Sequence, residues 1–292
     1  MANTPIKLND GTTIPWLGFG TGTALYGKDT ENMIVAAIKA GFTHLDAAQA
    51  YANEDSLGAG ILASGVPRSQ LYITTKFHEL APGQSLKSLL QDQLKKLKVD
   101  YVDLYLIHTP VAFKKEGELK KLWTEAEELK KEGLTRSIGV SNFRIKDIEV
   151  LTTGGGAVPA INQIEYHPHL FKESQALLEF HAKHQIVTES YGGQSPIFRS
   201  KGTSLDAVLT PIAERLSKAS GKTIQEGHVL MQWQKAKGVV FVTTTSKESR
   251  LHEYIAAADV EGLTAEEVKA IDEAGAQETH RHFVRFSSYT RD

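Results

Sequence analysis

Short apolar runs that end on polar residues recur along this chain near 16–20, 42–46, 71–76, 102–108, 135–140, 160–164, 186–191 and 239–243, and each predicts a strand. Helix-like segments separate them, near 30–40, 54–64, 85–98, 115–132, 144–152, 170–184 and 205–235, with another near 247–257. Eight strand–helix units in succession predict a closed parallel (β/α)8 barrel rather than an open doubly wound sheet. Ahead of them, Ile6-Lys7-Leu8 and Thr12-Thr13-Ile14-Pro15 flank Asn9-Asp10-Gly11, a hairpin in which Asp-Gly would supply the positive φ angles of the turn. The stretch 192–238 is longer than one crossover needs and predicts an inserted loop over the barrel mouth. Thr264-Ala265-Glu266-Glu267 has the form of a capping box and predicts one more helix, followed by a tail over 276–292 without a clear period. No linker, repeat or low-complexity segment divides residues 1–292, so a single barrel domain is expected.

That architecture gives meaning to four residues. Asp46, Tyr51, Lys76 and His108 lie at or just past the ends of the second, third and fourth strand-like runs. Each has an ordinary reading alone: a helix N-cap for Asp46, a loop aromatic for Tyr51, an exposed strand end for Lys76, a satisfied core imidazole for His108. Parallel neighbours would gather them at the carboxyl ends, the face where such barrels carry their active sites. An acid, a phenol, an amine and an imidazole in contact make a proton-transfer device, and such a cluster is costly without a purpose. A Lys76 ammonium held by Asp46 is expected to favour the Tyr51 phenolate and lower its pKa.

The remaining strands end in keeping with this. Ser141, Asn142 and Gln163 can hold an amide, and the Tyr191 face can stack under a flat ring. The eighth run leads into Thr243-Thr244-Thr245-Ser246-Lys247-Glu248-Ser249-Arg250 at the start of a helix, where free N–H groups and cations favour a phosphate. Ser246 could also serve there as the N-cap.

Composition narrows the class without adding to the chemistry. The chain has 292 residues, 41% hydrophobic and 23% charged, which suffices for a large core. A net charge of −2 with mixed signs gives no field that would draw it to nucleic acid or membrane. There are no cysteines, which excludes disulfides, thiolate nucleophiles and cysteine-ligated zinc. No signal peptide or span of apolar residues is visible, so the expectation is a cytoplasmic protein acting on a small molecule.

Five ordered blocks carry a resemblance over nearly the whole chain: residues 45–54 (LDAAQAYANE), Thr75-Lys76, Leu106-Ile107-His108, residues 138–143 (IGVSNF) and residues 161–168 (INQIEYHP). Together they resemble the aldo-keto reductase superfamily. The resemblance implies a barrel that binds a nicotinamide cofactor without a Rossmann domain, with Tyr51 as proton donor and Asp46, Lys76 and His108 around it. It implies that Ser141, Asn142 and Gln163 hold the carboxamide, that Tyr191 stacks on the nicotinamide, and that Thr21 and Arg250 fall at cofactor positions. With Thr244, Thr245, Ser246, Lys247 and Glu253 they make up the expected NADPH site, with Glu253 meeting the adenine amine. It also favours a monomer.

Three departures shape the substrate expectation. Many relatives carry Trp after the active-site His and in the first loop, where this chain has Thr109 and Gly22; many carry Pro-Lys-Ser after strand eight, where it has Thr243-Thr244-Thr245. A wider pocket follows, with Tyr26 or Phe113 as aromatic wall. The pattern resembles fungal reductases of conjugated polyketones, ketopantoyl lactone and α-keto amides. Competing readings fit less of the chain. A short-chain dehydrogenase would place Tyr and Lys on one helix, and a Schiff-base aldolase would use Lys76 but leave the amide-binding residues unexplained. A metal hydrolase would rest on His167 and His169 alone, and a cofactor-bound redox-sensing regulatory barrel would have no use for an intact tetrad.

Overall fold

Eight parallel strands close on themselves; the first follows the N-terminal hairpin and each of the others follows a helix. The computed structural model describes residues 4–112 and 117–283. The N-terminal hairpin pairs β1 (Pro5–Lys7) antiparallel to β2 (Thr13–Pro15). The barrel strands are β3 (Leu17–Gly20), β4 (His44–Asp46), β5 (Tyr72–Phe77), β6 (Val102–Ile107), β7 (Thr135–Ser141), β8 (Ile161–Glu165), β9 (Val187–Tyr191) and β10 (Val240–Thr243). They run in chain order, and β10 closes the ring against β3 through Phe241 opposite Leu17. The helices are α1 (Glu31–Ala40), α2 (Glu54–Ser64), α3 (Leu86–Leu97), α4 (Glu118–Lys131), α5 (Ile145–Thr152), α6 (Pro168–His184), α7 (Ser195–Arg199), α8 (Ser204–Ser220), α9 (Glu226–Ala236), α10 (Glu248–Ala258) and α11 (Ala265–Gly275). No described helix is long and apolar enough to cross a membrane.

The core follows from the strand period of two. One face of each strand meets the helices, where Leu45, Ile73 and Ile107 are buried among their apolar stripes. The other face points down the barrel axis. Its lower end is a second apolar cluster in which Leu8 and Ile14 of the hairpin pack on Tyr72, Leu104, Leu106, Ile161 and Val240. The hairpin therefore plugs the bottom and leaves the carboxyl ends open. Only Gly11 takes a positive φ, 87°, because the turn is a longer loop closed by Leu8 and Thr12 rather than a two-residue Asp-Gly turn.

The segment 192–238 departs from the expected loop and single long helix. Gly221, at φ 68°, ends α8 and separates it from α9. The apolar face of α8, with Leu205, Leu209, Ile212 and Leu216 buried, packs against α9 and α11 on the outer wall. Residues 192–203, including α7, lead away from β9, and Gln194, Phe198 and Lys201 share a cavity with residues 225–228 and Arg250. The capping box at Thr264 forms as its spacing predicts: the Thr264 hydroxyl accepts from the Glu267 N–H at 3.2 Å, and the Glu267 carboxylate accepts from the Thr264 N–H at 2.9 Å. Beyond α11 the chain returns irregularly across the mouth. The Glu165 carboxylate holds it, accepting from the His282 N–H at 2.7 Å and the Phe283 N–H at 3.1 Å. The Phe283 ring lies 5.4 Å from that of Tyr191. Phe113 falls outside the described residues.

Candidate active site

Asp46 ends β4, Lys76 is the penultimate residue of β5, and His108 follows the last residue of β6, so the barrel register alone brings their side chains to one level. Tyr51 arrives from a short 3-10 turn over Gln49–Tyr51. Lys76 is fully buried, and its Nζ donates to both Asp46 oxygens at 2.6 and 2.7 Å and to the Ala47 carbonyl at 2.8 Å. It also stands 3.4 Å from the Tyr51 hydroxyl and 5.0 Å from the centre of its ring. The His108 ring meets the Tyr51 ring edge-on at 5.7 Å.

A polar network the sequence did not disclose fixes the strand behind this cluster. Glu54 of α2 accepts from Thr75 at 2.5 Å and from Gln93 of α3 at 2.8 Å, while Gln93 also donates to the Lys76 carbonyl at 3.2 Å. All of these residues are buried. A small residue shapes the other side. A Cβ on Gly22 would lie 3.0 Å from the Tyr51 ring, so the glycine lets the phenol seat against backbone. Tyr26 stands beside it at 6.2 Å between ring centres, as an exposed aromatic wall.

The electrostatics follow from burial and the Asp46–Lys76 pair. Burial works most strongly against the Lys76 ammonium, but Asp46, Tyr51 and Glu189 together outweigh it and the pKa is raised. His108 is held well below the ordinary imidazole range by burial, then by Lys76 and His78, and so is neutral at neutral pH. Tyr51 differs from expectation. Its pKa is raised, because burial outweighs the downward pull of Lys76, and the Asp46 charge adds to the rise.

The amide-binding candidates adjoin the tetrad and are tied to one another. Asn142 takes φ 64°, a left-handed conformation that asparagine tolerates at a strand end. Its amide donates to the His108 carbonyl at 3.0 Å, and its oxygen accepts from the Tyr191 hydroxyl at 2.6 Å. The Ser141 hydroxyl donates to the Gln163 carbonyl at 2.8 Å, and the Gln163 amide donates to Asp46 at 2.8 Å. Thr21 is buried between β3 and β4, where its N–H donates to the Asp46 carbonyl at 2.9 Å.

The second group of candidates lies along β10 and α10. Lys247, not Ser246, occupies the N-cap of α10, and no side chain caps that helix. The reason is local: the Thr245 hydroxyl accepts from the Lys247 N–H at 3.0 Å and fixes the turn one residue later. Ser246 and Lys247 are exposed, and Arg250 and Glu253 are partly so. The Thr244 hydroxyl oxygen is buried with no hydrogen-bond partner. Arg250 and Glu253 line a cavity of about 400 Å³ with Phe198, Lys201 and Tyr254. A smaller one, about 180 Å³ between Thr23, Gly193, Thr244 and Phe283, lies on the tetrad side. Gln194 bolts the two sides, accepting from the Tyr254 hydroxyl at 3.1 Å and from the Thr243 hydroxyl at 3.4 Å.

His167 and His169 belong elsewhere. They cluster with His280 and His282, with ring centres 5.0–6.4 Å apart, and the first two bond Glu165 and Thr203. Among the described residues no group of three or more His, Cys, Asp or Glu is arranged to hold a metal ion.

Comparison with known proteins decides the family. The model of the aldo/keto reductase family matches residues 17–276. The chain belongs to that family. It is 36% identical over 289 residues to an NAD/NADP-dependent indole-3-acetaldehyde reductase of Schizosaccharomyces pombe, covering 96% of this chain and 97% of that one. It is also 36% identical over 270 residues to a glyoxal reductase of Bacillus subtilis, covering 91% of each. A solved aldo/keto reductase of Brucella melitensis superposes with a TM-score of 0.77 at 32% identity, over 93% of this chain and 99% of that chain. This aldo/keto reductase is thus an oxidoreductase acting on carbonyl groups of small molecules with a nicotinamide cofactor.

Proposed function

We propose that the enzyme reduces ketones and aldehydes whose carbonyl is activated by an adjacent carbonyl, with NADPH as cofactor and Tyr51 as proton donor. The observation that carries the reading is the Lys76 ammonium bracketed by both Asp46 oxygens at one end and the Tyr51 hydroxyl at the other. The bound nicotinamide would supply hydride to the carbonyl carbon. Tyr51 gives its proton to the carbonyl oxygen as charge develops there, and Lys76, held in place by Asp46, meets the resulting phenolate. His108, neutral, offers a ring N–H to the same oxygen and fixes which face of the carbonyl is presented.

The residues present fit NADPH. Ser141, Asn142 and Gln163 would hold the carboxamide, and Tyr191 would stack on the nicotinamide. An uncapped helix start and the Lys247 and Arg250 cations make a donor set suited to a 2′-phosphate, while Thr244, its hydroxyl unpartnered, lines the cavity on the tetrad side. Thr245 and Ser246 line the same turn, Glu253 would meet the adenine amine, and Thr21 borders the tetrad end.

The substrate class is supported by Gly22 and Thr109, small residues where a bulkier side chain would narrow the pocket, and by the glyoxal reductase likeness, since glyoxal is a dicarbonyl. An adjacent carbonyl withdraws electron density, so the site need polarise the substrate less. The test mixes the protein with NADPH or NADH and a panel of isatin-like diketones, ketolactones, α-keto esters, xylose and glucose, following reduced-nicotinamide absorbance. Dicarbonyls with NADPH should give the highest kcat/KM. A sugar as best substrate would refute the substrate class, NADH preference would refute the cofactor choice, and binding without turnover on any member would favour a redox-sensing barrel.

A further inference from the structure

Beneath the Asp46–Lys76 pair lies a second ionisable pair that the proton transfer above does not use. Glu189 sits in the middle of β9, opposite Gln163 on β8 and Val240 on β10, and its side chain is fully buried on the barrel axis. Neither carboxyl oxygen has a hydrogen-bond partner. The approaching base is His44 of β4, whose Nε2 is 3.6 Å from Oε1 and 3.1 Å from the Thr74 hydroxyl. The imidazole fits there because β3 carries Gly18, where a Cβ would lie 2.7 Å from its Nδ1. The Gln163 amide donates one N–H to Asp46 at 2.8 Å; its other N–H faces Glu189 and favours the charged form, but comes within hydrogen-bond distance of neither carboxyl oxygen.

The groups that face Glu189 from the surrounding elements are His44 and Asp46 of β4, Tyr72 and Lys76 of β5, and Tyr51 above them. Lys76 is already saturated by Asp46, Ala47 and Tyr51. A bare carboxylate in this position would be a buried charge without a donor, an arrangement that costs several kcal/mol and is relieved by taking up a proton.

We propose that Glu189 is a positioning residue for the reaction: it stores a proton on the barrel axis below the tetrad, and releasing that proton places a negative charge there that keeps Tyr51 protonated to higher pH. The equilibrium is Glu189 COOH to COO⁻, with the proton taken up by solvent base. Burial and the Asp46 charge set its midpoint at about 8, while burial keeps His44 neutral down to about 4, so the pair is uncharged overall at neutral pH. The inference rests on Tyr51 as proton donor for its kinetic consequence, but not for the stored proton itself.

The test uses the whole chain and two readouts. Infrared difference spectra of the wild type, titrated without substrate, should show the carbonyl stretch of a protonated carboxylic acid at pH 7 that fades through about pH 8 and is missing in Glu189→Gln. In the same variant, with rates normalised at pH 6.5, the alkaline loss of carbonyl reduction and the rise of alcohol oxidation should both move to lower pH. A shift of half a unit is about a threefold higher ratio of oxidation to reduction at the alkaline end. Absence of a protonated acid at pH 7 in the wild type overturns the proposal even if the variant fails to fold. A folded variant with superimposable pH profiles overturns it too. An active Tyr51→Phe enzyme would instead strike the proton-donor reading and leave the infrared result standing.

Discussion

Lys76 near the end of β5 and Lys247 at the start of α10 are held in opposite ways. Lys76 has no exposed surface and makes three contacts to oxygen within 2.8 Å, each from a strand end or the turn after it. Lys247 is exposed at the start of α10, beside a helix terminus that no side chain caps and a hydroxyl with no partner. The half proposed to transfer the proton is therefore assembled before any ligand arrives, whereas the half proposed to hold the phosphate keeps its Lys247 cation in solvent. Preorganisation is where a transition state gains most, because oriented charges cost no rearrangement at the moment of reaction. A bound cofactor can instead order its own surroundings.

The hardest way to break this comparison is at Tyr51. Tyr51→Phe keeps the ring and its contact with His108 and removes the hydroxyl, with its proton and its contact to Lys76. It should lower kcat by about 10²–10⁴, the usual worth of general-acid catalysis, with NADPH binding little changed. Wild-type turnover would mean that the proton comes from elsewhere. His108→Ala should lower kcat/KM and erode the enantiomeric purity of the product, with cofactor affinity kept. A variant that mainly loses NADPH affinity would move His108 into the cofactor site.

Stability should divide the two lysines as sharply as catalysis does. Removing one partner of a buried ion pair leaves the other charge uncompensated, at a cost of about 3–5 kcal/mol. Lys76→Met strands Asp46 in this way and should show it in denaturant unfolding. Lys247→Ala touches nothing buried and should stay within about 0.5 kcal/mol of the parent. Equal losses in the two variants would contradict the division.

How much of this was legible in the chain depended on whether residues act through strand period or through distant contacts. Asp46, Lys76 and His108 were readable because a parallel strand ends where its apolar run ends, and the barrel gathers those ends. The division of the helix-like segment 205–235 into α8 and α9 was not. The break at Gly221 lets α8 fold back on α9 and pack on α11, and no local period shows that fold-back. The raised Tyr51 pKa was missed for a related reason, since a sequence shows the neighbouring charge but not how much water the fold removes. Glu189 did leave a signal, an acid inside the run Val187-Thr188-Glu189-Ser190-Tyr191, but only the Gly18–His44 fit shows what surrounds it.

At the proposed phosphate end the expected effect is smaller and selective. Hydrogen bonds to a charged group contribute about 1.5–3 kcal/mol each, so losing one should weaken NADPH binding by roughly tenfold to a hundredfold or more. Arg250→Ala and Lys247→Ala should each raise the Kd for NADPH in a fluorescence titration while leaving NADH nearly unchanged. Equal losses for both cofactors would place the phosphate elsewhere.

The mildest probe sharpens the contrast instead of breaking it. Gly22→Ala adds a methyl group 3.0 Å from the Tyr51 ring, and the ring must give by a few tenths of an ångström. No hydrogen bond to the phenol is removed, so any loss reports position alone. Displacements near 1 Å in an active site can cost about a hundredfold, and a shift of this size should lower kcat by roughly threefold to tenfold. Cofactor affinity and unfolding free energy should stay close to the parent values. Ser246→Ala, at the exposed turn before α10, should leave kcat with saturating NADPH unaltered. If Gly22→Ala turns over at the parental rate, Tyr51 tolerates slack, and the tetrad is less tightly set than its hydrogen-bond distances imply.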